Sequence, residues 1–212
     1  MRNDAEKKRK LKKIALITAI VFAATGLLWL VFYGITELLA RVPDTTDSDI
    51  SFFEADYNED IFEDRLYTSK NRYVYYLEFG SGEVVTPENI NNLPVCARFF
   101  DAYFNTVING DYEGYKSYFT DFYFKYQTTP EPFTMQKIYD IEVDLYDRQI
   151  RIVDGVSVTV DTFIVNYKIF RNNGTFRSDV GSNTIKPLVF ELYRTGDTVL
   201  INAIKFNKNI ND

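Results

Sequence analysis

Acid–base chemistry in this chain would have to be done by carboxylates, lysines, phenols and one thiol. Its 212 residues include no histidine and a single cysteine, Cys96. Histidine-dependent triads and dyads are therefore excluded, as are zinc sites of the usual Cys/His kind and any internal disulfide. Each remaining group needs a strongly shifted pKa to move protons near neutral pH. Cys96 stands in an apolar helix start and reads as a buried, inert thiol. Asp101 and Asp121 lie among tyrosines, so either could act as a carboxylate base beside a phenol donor. Their spacing singles out no pair, and no catalytic residue is assigned. Asp56, Asn58 and Asp60 have the alternate spacing of a calcium loop. Ile61 stands where that loop needs glycine and Tyr67 where it needs a bidentate glutamate, so no metal is assigned either. No cofactor motif is present.

The residues richest in binding potential are the aromatics. Phe99 to Phe124 reads FFDAYFNTVINGDYEGYKSYFTDFYF, and the chain as a whole is 17% aromatic. Phe99, Phe100, Tyr103, Phe104, Val107 and Ile108 recur at spacings of three and four, which is one face of an amphipathic helix. Asn109-Gly110 supplies the stop, and Asp111 caps a second helix with Tyr112, Tyr115, Tyr118, Phe119 and Phe122 on its face. Most of these rings are expected in the core of a helical hairpin.

Other elements must frame the hairpin. Arg72–Val85 reads as a strand or short helix followed by a Gly-Ser-Gly turn. Thr86-Pro87-Glu88 and Asn91-Asn92-Leu93-Pro94 offer two helix starts. After Pro132 the period changes from 3.6 to 2. Tyr139, Ile141, Val143 and Leu145 begin a strand, and Asp154-Gly155 marks a hairpin turn. Val156, Val158 and Val160 continue the alternation, which shifts phase to Phe163, Val165, Tyr167 and Ile169. The shift predicts a β-bulge near Asp161 or Thr162. Asn172-Asn173-Gly174 makes a second turn, Leu188, Phe190 and Leu192 a third strand, and Val199–Phe206 the last. Asn173-Gly174-Thr175 also fits the glycosylation pattern, although a tight turn explains it equally well.

The N-terminal part is of a different kind. Through Lys13 the chain carries seven Lys and Arg against Asp4 and Glu6; from Arg41 onward 27 acidic residues face 17 basic ones. Between them Ile14 to Thr36 is uncharged and mostly apolar, and as a helix would span about 35 Å. The charge asymmetry predicts a basic cytoplasmic tail (1–13), an uncleaved single-pass anchor in the bilayer (Ile14 to Ala40) and an extracytoplasmic remainder at the cell membrane. Leu38-Leu39-Ala40 weakly resembles a signal-peptide cleavage site, but the apolar stretch is longer than a signal peptide's. Residues 41–64 hold nine acids and one base and read as an acidic stalk. Phe52, Phe53, Ile61 and Phe62 within it suit a short helix docking on the domain or on a partner. The domain is expected over 65–212. Its acidity argues against a nucleic-acid partner.

A helical hairpin followed by four long antiparallel strands with a bend, joined through Gly110, Asp111, Tyr112 and Phe119, resembles the nuclear transport factor two-like superfamily over about Pro94 to Phe206. The resemblance implies an α+β fold: a helical hairpin on the concave face of a curved antiparallel sheet of about four strands, forming a cone. Tyr103, Tyr115, Phe119, Tyr139 and Tyr167 could line that cone. With a basic tail and one membrane pass, it further implies a tethered domain that makes protein–protein contacts, with a protein partner or a second copy, in a secretion, conjugation or sporulation type complex of the bacterial cell envelope. A small-molecule-binding cone is the alternative, and a histidine-free isomerase or dehydratase a third reading.

Overall fold

The computed structural model describes residues 50–127, 131–153 and 155–206. The tail, the expected anchor and the first part of the expected stalk lie outside the described residues. Among the described residues no helix is long and apolar enough to cross a membrane.

The described chain is α+β, with a curved, open sheet of six strands. These are β1 (Val74–Glu78), β2 (Ser81–Val84), β3 (Ile138–Val153), β4 (Val156–Ile169), β5 (Leu188–Thr195) and β6 (Thr198–Phe206), in the order β2-β1-β3-β4-β5-β6. The four long strands read from the alternation are β3 to β6. The expectation of about four antiparallel strands is corrected by the β1–β2 hairpin. It adds two strands and makes the sheet mixed, because β1 runs parallel to β3 with Val74 opposite Ile141. Its tight turn at Phe79 and Gly80, with φ of 50° and 80°, matches the right-handed twist of the paired strands.

The helices are α1 (Arg65–Thr68), α2 (Val95–Ile108), α3 (Tyr112–Lys116) and α4 (Asp121–Tyr126). Of the two proposed starts, only the second leads into a long helix; after Thr86 there is just a short 3-10 turn at Ile90–Asn92. The apolar face read for α2 is buried as expected. The second hairpin helix is not continuous. After Lys116 the backbone extends, and Tyr118–Thr120 pairs with Ile201 of β6 (Ile201 N to Tyr118 O, 2.7 Å; Thr120 N to Ile201 O, 3.0 Å). Thr120 then caps α4 by accepting from the Tyr123 amide. This re-aims the aromatics, so that Phe122, expected on the buried face, is exposed.

The core lies between α2 and the concave face of the sheet. Phe100 meets Phe163 edge-on at 5.0 Å, Phe104 meets Tyr167 at 5.4 Å, and Tyr103 meets Phe190 at 5.7 Å. Such pairs each contribute about 0.5–1.5 kcal/mol beyond area burial. The bulge expected at Asp161 or Thr162 sits on the partner strand: Tyr146 of β3 is the extra residue, opposite Thr162 and Phe163. A second irregularity between Tyr139 and Glu142 puts Asp140 at φ 50°. Bulges of this kind bend the sheet around α2.

The compact unit starts at Ile50. Ile50–Asp64, expected as the outer part of a stalk, instead packs on the domain, as its apolar residues suggested. Phe53 N donates to Asn172 O at 2.9 Å, and Ile61 is completely buried in the core. The buried Lys137 ammonium meets Glu59 at 2.6 Å and Asp64 at 3.0 Å.

Candidate functional site

Two features of the domain could do work: a cavity between α2, α3 and the loop after β4, and an arm formed by β3 and β4. The cavity has a volume of about 610 Å³. Tyr103 of α2, Tyr115 of α3 and Tyr167 of β4 line it, as the aromatic pattern anticipated. Phe119 and Tyr139 do not. Phe119 packs at a tilt against Tyr123 and Tyr115, with ring centroids 4.2 and 4.8 Å away, held there by the backbone link to β6. Tyr139 is turned out of the core cluster next to the bulge at Asp140. Its hydroxyl donates to Asn183 Oδ1 at 2.8 Å, and the Lys70 ammonium sits over its ring.

Sequence reasoning missed Tyr57, Tyr123 and, above all, Arg177 and Asp179. The loop between β4 and β5 carries this pair. Buried Asn172 pins the loop, its side-chain amide donating to Arg177 O at 2.8 Å and Val180 O at 2.7 Å. The buried Arg177 guanidinium reaches Asp179 through Nε (2.5 Å) and a terminal nitrogen (2.8 Å), and donates from its other nitrogen to the Tyr167 hydroxyl at 3.1 Å. Burial pushes Asp179 up, but Arg177 and then Lys186 outweigh it and leave the carboxyl below its ordinary range. Burial raises the pKa of Tyr103, Tyr115, Tyr123 and Tyr167, so all four phenols are neutral at physiological pH.

Asn173 is held as a turn residue. Its amide nitrogen donates to Thr134 Oγ1 at 2.7 Å, and its oxygen accepts from Thr175 N at 3.1 Å. An acceptor amide engaged in this way is poorly placed for glycosylation. Asp56 and Asp60 accept from Asn58 N and Phe62 N in local turns. Among the described residues no group of acidic or cysteine side chains is placed to hold a metal.

The carboxylates weighed for catalysis are elsewhere. Asp101 borders a separate groove with Lys70, Arg72 and Tyr73 and accepts from Asn105 at 3.1 Å; burial raises its pKa. Asp121 is exposed in the first turn of α4. The buried carboxylate of the fold is Asp161, which sequence reading passed over. It accepts from Arg148 Nε at 2.5 Å, Arg194 Nε at 3.0 Å and the Cys96 thiol at 3.5 Å. Arg148 also reaches Glu78 at 2.6 Å, and the Tyr76 hydroxyl donates to the same carboxylate. Burial, then Asp161, pushes the Cys96 thiol up to about 12, so it is a poor nucleophile.

This network roots the arm. β1 pairs with β3 only as far as Asp144, and β5 pairs with β4 only from Thr159. Beyond those points Ile150–Val153 and Val156–Val158 run as a two-stranded ribbon. Ile150 and Ile152 are 76% and 71% exposed on one face. On the other, Gln149 donates to Asp147 and accepts from Arg151. No family model, curated protein or solved structure matches the chain.

Proposed function

We propose that this is a single-pass, membrane-anchored protein whose extracytoplasmic domain, arranged like the nuclear transport factor two-like cone, acts by protein–protein contact in a cell-envelope assembly. The arm carries the reading. A two-stranded ribbon with no neighbouring strand among the described residues is marginal in water on its own, and exposed isoleucines there add nothing to the core. A free strand edge with apolar side chains is a natural surface for a partner chain. β4 has 14 residues, about 45 Å at ~3.3 Å each. The arm tip thus lies at the far end of β4 from Asn172, beside which Phe53 leads the chain into the domain. The basic tail, the apolar run from Ile14 and the acidic remainder support the anchored topology.

The test is site-specific photocrosslinking in native cells. A photoreactive residue at Ile150 is expected to give a discrete adduct in the membrane fraction, lost when Ile152→Asp is added. The same residue at the α4 position Phe122 should give none. If Ile150 yields no adduct, and Ile150→Asp with Ile152→Asp leaves the native membrane complex at its original size, the contact reading fails. External protease on intact cells should remove the domain and spare the tail; protection of the domain would overturn the topology.

A further inference from the structure

We propose that the cavity between α2, α3 and the β4–β5 loop binds an uncharged, mainly apolar small molecule that carries a carbonyl-type acceptor oxygen. The inference is independent of the arm. The volume of about 610 Å³ lies within the range of ligand sites, roughly 300–1,000 Å³. Rings form much of its wall: Tyr103, Tyr115, Tyr123 and Phe176 line it, beside the polar Gln127, Thr175 and Ser178. Tyr115 lies within 5.9 Å of the Phe176 ring and 5.7 Å of Tyr103.

The polar groups narrow the chemistry. Tyr167 accepts from Arg177, which leaves its own O–H to point elsewhere. Tyr103 and Tyr115 can satisfy at most one of their two donors on each other. Phenol hydrogens therefore remain to be met inside the cavity, and an acceptor oxygen meets them. Charge selects against ions. Arg177 is committed to Asp179 on two nitrogens and to Tyr167 on the third, so an anion finds no free cation at the floor. Asp179 is already shared by Arg177 and Lys186, so a cation finds no free carboxylate there. Glu131 lies at the exposed rim, where water screens it.

The experiment compares three probes built on one ring: acetophenone, benzoate and benzylamine. Each is titrated into the full chain in lipid nanodiscs, read by saturation-transfer NMR against empty nanodiscs. Acetophenone is expected to bind best. Tyr103→Phe and Tyr115→Phe should each weaken it about five- to tenfold, the effect of one neutral hydrogen bond. Leu188→Trp, which fills the cavity from β5, should abolish the signal. Thermal melts identify any variant that fails to fold, and Tyr167→Phe then serves in its place. Tighter binding of benzoate or benzylamine would overturn the uncharged class. Acetophenone binding no greater than to empty nanodiscs, or unchanged by Leu188→Trp, would overturn the site.

Discussion

Asp161 shows how a single residue can be hidden in a pattern. Its position in β4 has the phase of Phe163, Val165 and Tyr167, and all four side chains are buried. A charged residue in the core phase was read as the site of a bulge. The bulge lies on β3 instead, and two arginines and a thiol hold the carboxylate in the core. Removing one partner of a buried ion cluster leaves uncompensated charge; with Arg148 and Arg194 both partly exposed, Asp161→Asn should cost about 2–4 kcal/mol in urea unfolding. Asp179 gives a pH signature. Its folded pKa lies below the ordinary 3.8, so the stability it contributes is fully present above the unfolded value and is lost as pH falls through the folded one. Asp179→Asn should thus lower the midpoint of denaturation at pH 7, and the gap to the parent protein should close as pH falls below the ordinary 3.8 and through the lower folded value. A gap that did not narrow with falling pH would assign the loss to packing. Neither the Arg177–Asp179 pair nor Asp161's partners could be read from spacing, because each depends on contacts across strands or within an irregular loop. Tyr103, Tyr115 and Tyr167 were legible because helix and strand periodicity fix which side chains face inward.

The elements divide along the same line. α2 and the four long strands follow from hydrophobic period alone. The second hairpin helix does not, because backbone pairing of Tyr118–Thr120 with Ile201 outweighs the helical propensity of its aromatics. That competition moved Phe119 out of the cavity wall and Phe122 into solvent. The bulge was assigned to the wrong strand of its pair for a related reason: a register shift shows in the burial of both strands, and sequence cannot tell which one holds the extra residue. Turns were readable wherever glycine is required, and two of them allow a graded test. Gly110 has φ 66°, and a Cβ there would stand 2.8 Å from Met135 N; Gly155 has φ 79° with open space around it. Gly155→Ala should cost only the left-handed backbone penalty, about 1 kcal/mol. Gly110→Ala adds a clash with backbone that cannot swing away and should cost at least ~2 kcal/mol. Equal losses of melting temperature would mean that the loop at Met135 yields.

At the scale of the whole molecule the folded unit begins at Ile50 and not after Asp64. Composition put the boundary at Asp64, because the nine acids of residues 41–64 suggested a self-repelling stalk. Charge density misleads here, since several of those acids have partners in the domain. Glu59 and Asp64 hold the buried Lys137, and Asp64 also caps α1 by accepting from the Leu66 and Tyr67 amides. Lys137 and then those amides outweigh the upward push of burial and hold its carboxyl below the ordinary range. Ile61 fills the core, and Phe52 packs on Gly174 of the loop that walls the cavity. A chain beginning at Ile50 should therefore unfold in one cooperative transition with its helix and sheet content intact. A chain beginning at Arg65 loses a fully buried isoleucine, about 1.5–3 kcal/mol, and leaves the Lys137 ammonium buried without either carboxylate, a further cost of about 3 kcal/mol or more. Against a total stability of about 5–15 kcal/mol, that chain should melt well below the longer one or populate a partly folded state. Lys137→Met in the shorter chain should recover part of the loss, because it removes the stranded charge and not the missing isoleucine. Identical melting curves for the two chains would return Ile50–Asp64 to the stalk.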